Sequence, residues 1–144
     1  MVERIATVTT ELVSALAGLV PHLNQSAQQP DGDEIAAIVG QPGVSLFVAR
    51  DNDGQIVGSV TLVCFRIPSG RRGRIESLVV APAARRGGIG RALCKAALER
   101  AEAEGAETVD LTSGHARVEA NELYRSLGFS LRATNAYRIK IAEK

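Results

Sequence analysis

A glycine-rich turn set between a strand-like run and a helix-like run constrains this chain more than any other feature. The stretch is Arg85-Arg86-Gly87-Gly88-Ile89-Gly90-Arg91-Ala92. Before it, the apolar run Ile75 to Val80 reads as a strand. After it, Gly90 to Glu104 reads as a helix with Cys94, Ala97, Leu98 and Ala101 on one stripe. Such a turn leaves the first backbone N–H groups of the helix unpaired and pointing outward, which makes an anion site. Arg85, Arg86 and Arg91 crowd that helix start, where the macrodipole disfavours cations by roughly 0.3–1 kcal/mol each. A bound anion would offset that cost. The alternative is a solvated arginine cluster on a surface turn.

Three anion motifs compete for this turn. A P-loop needs Gly, four residues and then Gly-Lys-Ser/Thr, and no such run occurs. The dinucleotide fingerprint comes closer, with Gly88-Ile89-Gly90 followed by Asp110. It fails at Leu93, where the third small residue belongs, and at Ala81 to Gly87, which part the strand from the glycines. The spacing that fits is Arg85-x-x-Gly88-x-Gly90, after a strand and a short loop containing Pro82. It resembles the pyrophosphate-binding motif of the GCN5-related N-acetyltransferase (GNAT) family, Gln/Arg-x-x-Gly-x-Gly/Ala. A second stretch, Ala120-Asn121-Glu122-Leu123-Tyr124-Arg125-Ser126-Leu127-Gly128-Phe129, is similar to that family's later signature, a helix ending in Tyr-x-x-Leu-Gly-Phe. Physically, Ala116, Ala120, Leu123 and Leu127 form one helical stripe. Gly128 suits the position after the helix, and Phe129 the apolar contact that closes it. Arg117, Asn121 and Tyr124 share a neighbouring face. The resemblance runs from about Val44 to Phe129.

Length and composition agree with one domain over residues 1–144, large enough for a full core. A net charge of +1 gives no general attraction to nucleic acid or membrane, and 3% aromatics provide no stacking platform for single strands. The run Leu12 to Val20 is a helical stripe with Leu23 rather than a signal-peptide core, since Glu3 and Glu11 precede it. No run approaches a membrane span, and the expected location is cytoplasmic. Cys64 and Cys94 make neither a disulfide framework nor a metal site, and His22 and His115 lack ligand spacing. No metal is expected.

The element order expected is a strand near Arg4 to Ala6, a helix from Thr9 to Leu23, and a short helix capped by Asp31 or Asp33. Val44 to Arg50 and Gln55 to Phe65 then read as a hairpin through Asp51 to Gly54. Ile67 to Gly73 is expected as a basic loop, Thr108 to Thr112 as a strand, and Phe129 to Arg132 with Tyr137 to Ile141 as a closing hairpin. The order matches the GNAT fold, an α/β single domain with a mixed sheet. The resemblance implies that the strand Ile75 to Val80 and the strand Thr108 to Thr112 are parallel neighbours that splay apart. It implies acetyl-CoA as co-substrate. The backbone of Leu78, Val79 and Val80 would serve the pantetheine, with Asn121 opposite. Arg85, Arg86, Gly87, Gly88, Ile89, Gly90 and Arg91 would serve the pyrophosphate.

Acetyl transfer to an amine needs a base, donors for the oxyanion and an acid for the thiolate. Glu76 is the candidate base. Strand alternation puts it with Leu78 and Val80, where desolvation would raise its pKa; a bulge would break that parity. The alternative for Glu76 is an ordinary solvated or ion-paired carboxylate beside the cluster Arg71, Arg72 and Arg74. Tyr124 is the candidate acid, and the Val79 N–H the donor to the oxyanion. The expected partner is a small-molecule or peptide amine, undetermined by charge because the acceptor-side loops carry both signs. A homodimer is compatible. A non-catalytic acyl-CoA-binding module of the same fold is the alternative.

Overall fold

Apolar runs of β-branched residues build a five-stranded sheet in the order β1-β2-β3-β4-β5. The computed structural model describes residues 1–142, in two compact units, Met1–Thr112 and the stretch from Ser113 onward. In the first unit, β1 (Val2–Arg4), β2 (Val44–Arg50), β3 (Ile56–Ile67) and β4 (Gly70–Val80) pair antiparallel in succession. β5 (Thr108–Asp110) joins β4 in parallel. Helices α1 (Thr10–Leu19), α2 (Gly32–Val39) and α3 (Ile89–Ala103) complete the unit.

Register assigns the two faces. Leu46 lies opposite Thr61 and Val48 opposite Ser59. Leu46 and Val48 pack with Leu12 and Leu16 of α1 and Ile35 of α2. On the other face α3 presses so close to Gly58 that a Cβ there would sit 3.0 Å from Leu93 Cδ1 and 3.2 Å from Ile89 Cγ2. Leu62 and Ile75, opposite one another, lie on this α3 face. Leu12, Ile35, Leu62 and Leu93 are almost fully buried, each such side chain contributing about 1.5–3 kcal/mol.

Short polar side chains fix the helix starts. Thr9 Oγ1 accepts from the Leu12 N–H at 3.1 Å, and Asp31 Oδ1 from the Glu34 N–H at 2.9 Å, caps worth about 1 kcal/mol each. Asp31, rather than Asp33, is therefore the cap of α2. Arg50 ties three elements together, reaching Glu3 Oε1 at 2.8 Å and both carboxylate oxygens of Glu11 at 2.8 and 2.9 Å.

Several expectations shift. β1 ends at Arg4 instead of starting there. α1 stops at Leu19 because Pro21 cannot continue it, and a 3-10 turn, Val20–His22, follows. Leu23 is exposed as a result. The segment expected as a basic loop, Ile67 to Gly73, is a tight hairpin instead: Arg66 pairs with Arg71 and Ile67 with Gly70. Its arginines disguise strand, because alternate ones project to solvent without disturbing the ladder.

The second unit holds α4 (Val118–Ser126). Its end is a Schellman motif. The Phe129 N–H donates to the Tyr124 carbonyl and the Gly128 N–H to the Arg125 carbonyl, both at 3.0 Å, with Gly128 at φ 100°. The buried stripe is centred one position from the expected one: Tyr124 is buried, Leu123 and Leu127 are half-buried and Ala116 is exposed. The expected closing hairpin does not form. Residues 129–141 carry no strand, and Leu131, Tyr137, Ile139 and Ile141 are exposed. Alternation at Tyr137, Ile139 and Ile141 supplies strand propensity, but an isolated two-stranded hairpin is marginal in water.

Candidate functional site

The glycine turn holds the features of an anion site. A 3-10 turn, Pro82–Ala84, leads into Arg85, whose Nε donates back to the Val80 carbonyl at 3.1 Å. Arg86 takes φ 70° and Gly88 φ 80°, a left-handed path that glycine adopts without steric cost and arginine does not. Gly88 is the residue before α3, which starts at Ile89 rather than Gly90. No side chain caps this helix and its first turn has no acidic residue, in contrast to α1 and α2. A helix start led by glycines rather than by a capping side chain is suited to an anion. Arg85, Arg86, Gly87 and Gly88 are all exposed.

The same turn hangs from a strand with one open edge. β4 pairs with β5 only at Arg72–Thr108, Gly73–Val109 and Arg74–Asp110. From Ile75 to Val80 the β5-side edge has no strand partner among the described residues, while the other edge pairs with β3. The expected parting of these parallel strands is thus present. An extended ligand with amide groups could add to that edge by the hydrogen-bonding logic of strand addition.

A β-bulge lies within the open stretch. Glu76 stands opposite Thr61 and Val79 opposite Ser59, so Ser77 and Leu78 share the place opposite Val60. Ser77 takes φ 56°, uncommon for a residue with a Cβ and frequent beside functional sites. The bulge corrects the reading of Glu76. Paired with Thr61, Glu76 projects on the α1 and α2 face with Val79, not with Leu78 and Val80 as simple alternation requires. Nor is it seated among apolar neighbours. Its Oε1 accepts from Arg74 Nε at 2.7 Å, and the carboxylate side chain is 45% exposed. The cation that the sequence offered as an alternative partner is present.

In the second unit, α4 carries Asn121 and Tyr124 three residues apart, on one face. The Asn121 amide donates to the Gly114 carbonyl at 3.1 Å, closing the loop before the helix. The Tyr124 ring is 6% exposed and meets Phe129 edge-on, centroids 6.0 Å apart at 71°. That contact comes from the Schellman closure, so Gly128 and Phe129 set the pose of the tyrosine ring.

Neither cysteine is a poised nucleophile. Burial pushes the Cys94 thiol up to about 11. Burial, with the Glu104 carboxylate beside it, pushes Cys64 to about 11 as well. Cys64 lines a cleft of about 280 Å³ with Arg66, Arg71 and Glu104. This cleft is at the start of β4, roughly 27 Å of strand from Val80 at 3.4 Å per residue, and belongs to the hairpin end rather than to the glycine turn. Sequence reasoning named Arg74 only together with Arg71 and Arg72; the Arg-x-Glu spacing, same-face on a strand, is the signal that singles it out. It also could not place the bulge.

Comparison with known proteins closes on one family. The model described as Acetyltransferase (GNAT) family matches residues 12–129. The mycothiol acetyltransferase of Beutenbergia cavernae is 34% identical over 95 residues, covering 66% of this chain and 31% of that protein. The chain spans about a third of the length of the curated relatives it matches. Among solved structures, a Trypanosoma brucei acetyltransferase superposes with TM-score 0.76 at 26% identity, over 98% of this chain and 99% of that one. An aminoglycoside acetyltransferase from an uncultured soil metagenomic sample reaches TM-score 0.84 at 21% identity, over 99% of this chain and 96% of the other, a likeness of fold.

Proposed function

The chain belongs to the acetyltransferase (GNAT) family, and on that premise we propose that it moves the acetyl group of acetyl-CoA to an amine by direct attack. The observation that carries this reading is the continuity of the uncapped α3 turn with the open edge of β4. One anion site and one strand edge without a strand partner among the described residues follow each other along the chain, as a pyrophosphate joined to an amide-bearing arm would require.

Acetyl-CoA, when bound, supplies the thioester. The chain's own groups then have separable tasks. The N–H groups at the start of α3, with Arg85, Arg86, Gly87, Gly88, Ile89, Gly90 and Arg91 around them, hold the diphosphate. Leu78, Val79 and Val80 present the strand edge, and Asn121 contributes from α4. A backbone N–H on the open edge of β4 donates to the acyl oxygen as charge builds there; the Val79 N–H, the donor expected from the sequence, is turned towards Ser59 of β3 by the same register that points the Ala81 N–H to the Val57 carbonyl. Glu76 takes the proton of the amine, directly or through water. That step matters most for a lysine-like acceptor, whose deprotonation at pH 7 costs roughly 4–5 kcal/mol, against about 1 kcal/mol for an α-amine. Tyr124 gives a proton to the departing sulfur. The acceptor is a small-molecule or peptide amine, and the chain acts in the cytoplasm, alone or as a homodimer.

The test is release of free CoA with a panel of amines, alongside calorimetric titration with acetyl-CoA. Glu76→Gln is expected to lower kcat about 10²–10⁴-fold, the range of general acid–base catalysis, with little change in acetyl-CoA affinity. Tyr124→Phe is expected to lose rate in kcat, since its proton is needed only in the transition state. Tight binding of acetyl-CoA without turnover of any amine would make the chain a binding module instead.

A further inference from the structure

We infer that Arg74 is a positioning residue for this reaction, acting through Glu76; the inference rests on the reading of Glu76 as the base. Three observations converge on it. Arg74 and Glu76 lie two apart on β4, on the α1 and α2 face. Arg74 Nε holds Glu76 Oε1 at 2.7 Å and leaves Oε2 without a hydrogen-bond partner among the described residues. And Arg74, opposite Asp110, occupies the last position at which β4 and β5 still pair, with its NH2 group 3.5 Å from Thr112 Oγ1 just beyond β5.

The arrangement has a mechanical sense. Glu76 is the last regular residue of β4 before the bulge at Ser77. With 45% of its side chain exposed, packing does not select its rotamer. An exposed ion pair adds little to stability, about 0–1 kcal/mol, so fold maintenance is a weak reason for a 2.7 Å contact at this place. What the pair does provide is direction. One carboxylate oxygen is anchored by a planar guanidinium that itself reaches across to the chain beyond β5. The other is left to an incoming group, on a residue two positions past the last β4–β5 pair. The guanidinium plane matters here, because an ammonium would hold the charge but not the angle.

The experiment is a double-mutant cycle on kcat and KM with the full chain. Arg74→Ala is expected to lower kcat roughly 10-fold, an ordinary coupling for contacting residues, with the KM for acetyl-CoA unchanged. Arg74→Lys should recover part of the loss. In the Glu76→Gln background, Arg74→Ala should add no further loss, since the residue acts only through that carboxylate. An equal loss from Arg74→Ala in both backgrounds would overturn the inference while leaving Glu76 as base. If Glu76→Gln alone leaves kcat intact, it is the base assignment that fails, and the inference with it. Thermal unfolding of Arg74→Ala, expected within a few degrees of the wild type, separates either result from misfolding.

Discussion

Replacing Gly88 separates what the glycine turn does for the fold from what it does for a ligand. Gly88 has φ 80° and ψ 8°, and a Cβ built on it meets nothing within 4 Å. The free protein therefore feels a side chain at this position only through the backbone. Gly88→Ala should cost about 1–2 kcal/mol for a left-handed residue with a Cβ, a fall in Tm of roughly 3–8 °C for a chain of this size. Gly88→Asp should cost less. Aspartate tolerates the left-handed region better, and a carboxylate at an uncapped helix start regains about 0.3–1 kcal/mol. Ligand binding reverses the order. A carboxylate 4 Å from a phosphate is repelled by about 4 kcal/mol in a surface-like dielectric, close to three orders of magnitude in Kd. Calorimetric titration with acetyl-CoA and thermal unfolding, run on both variants, give the two readouts. Gly88→Asp should be the more stable variant and the poorer binder, with a defect that shrinks as salt is added. Wild-type affinity in Gly88→Asp would refute the assignment of this turn to the diphosphate.

Two further outcomes follow from the charges and thiols. With both thiols near 11, alkylation by iodoacetamide should be slow at neutral pH and quicken towards pH 11, and no acetyl-cysteine should be trapped during turnover; a trapped acetyl-enzyme would replace direct attack with a relay. The hydrogen bonds from Arg50, with its charge, hold the Glu11 carboxyl below the ordinary glutamate range. Its contribution is present above the unfolded value, about 4.3, and is lost as pH falls through the lower folded value. Urea midpoints of Glu11→Gln should thus fall less steeply on acidification below about pH 4.3 than those of the wild type; parallel curves would remove the Arg50 pair from the acid response.

Local chemistry was legible in the sequence and tertiary geometry was not. The Thr9 and Asp31 starts, the Asp51 to Gly54 turn and the Gly128-Phe129 closure each depend on a few adjacent residues, and each appears where those residues direct. Asp51 Oδ1, for instance, accepts from the Asp53 and Gln55 N–H groups at 2.9 and 3.0 Å. The left-handed glycine turn before α3 was legible for the same reason. Glu76 was misplaced because its face depends on a bulge, and a bulge reflects competition between two strands for register. The hairpin through Pro68 and Ser69 was hidden by its arginines, which composition assigns to a loop. Tyr137 to Ile141 shows the opposite error, a strand pattern without the partner that would make it a strand.

The parting of β4 and β5 makes a single strand serve as two kinds. Up to Arg74 it is interior, satisfied on both edges; from Ile75 to Val80 it is half an edge strand, with donors and acceptors on one side owed to something other than the sheet. Natural sheets shield such edges because any extended chain can pair there. Here the open length is six residues, bounded at one end by the Arg74 contacts and at the other by the glycine turn. A ligand that fills it behaves as a short sixth strand. The backbone amides along that edge should then exchange with solvent as those of a sheet margin do when the site is empty, and slow to the rate of a sheet interior when it is filled. The saturation of the sheet, and with it the chain's resistance to unwanted pairing, becomes a function of ligand concentration.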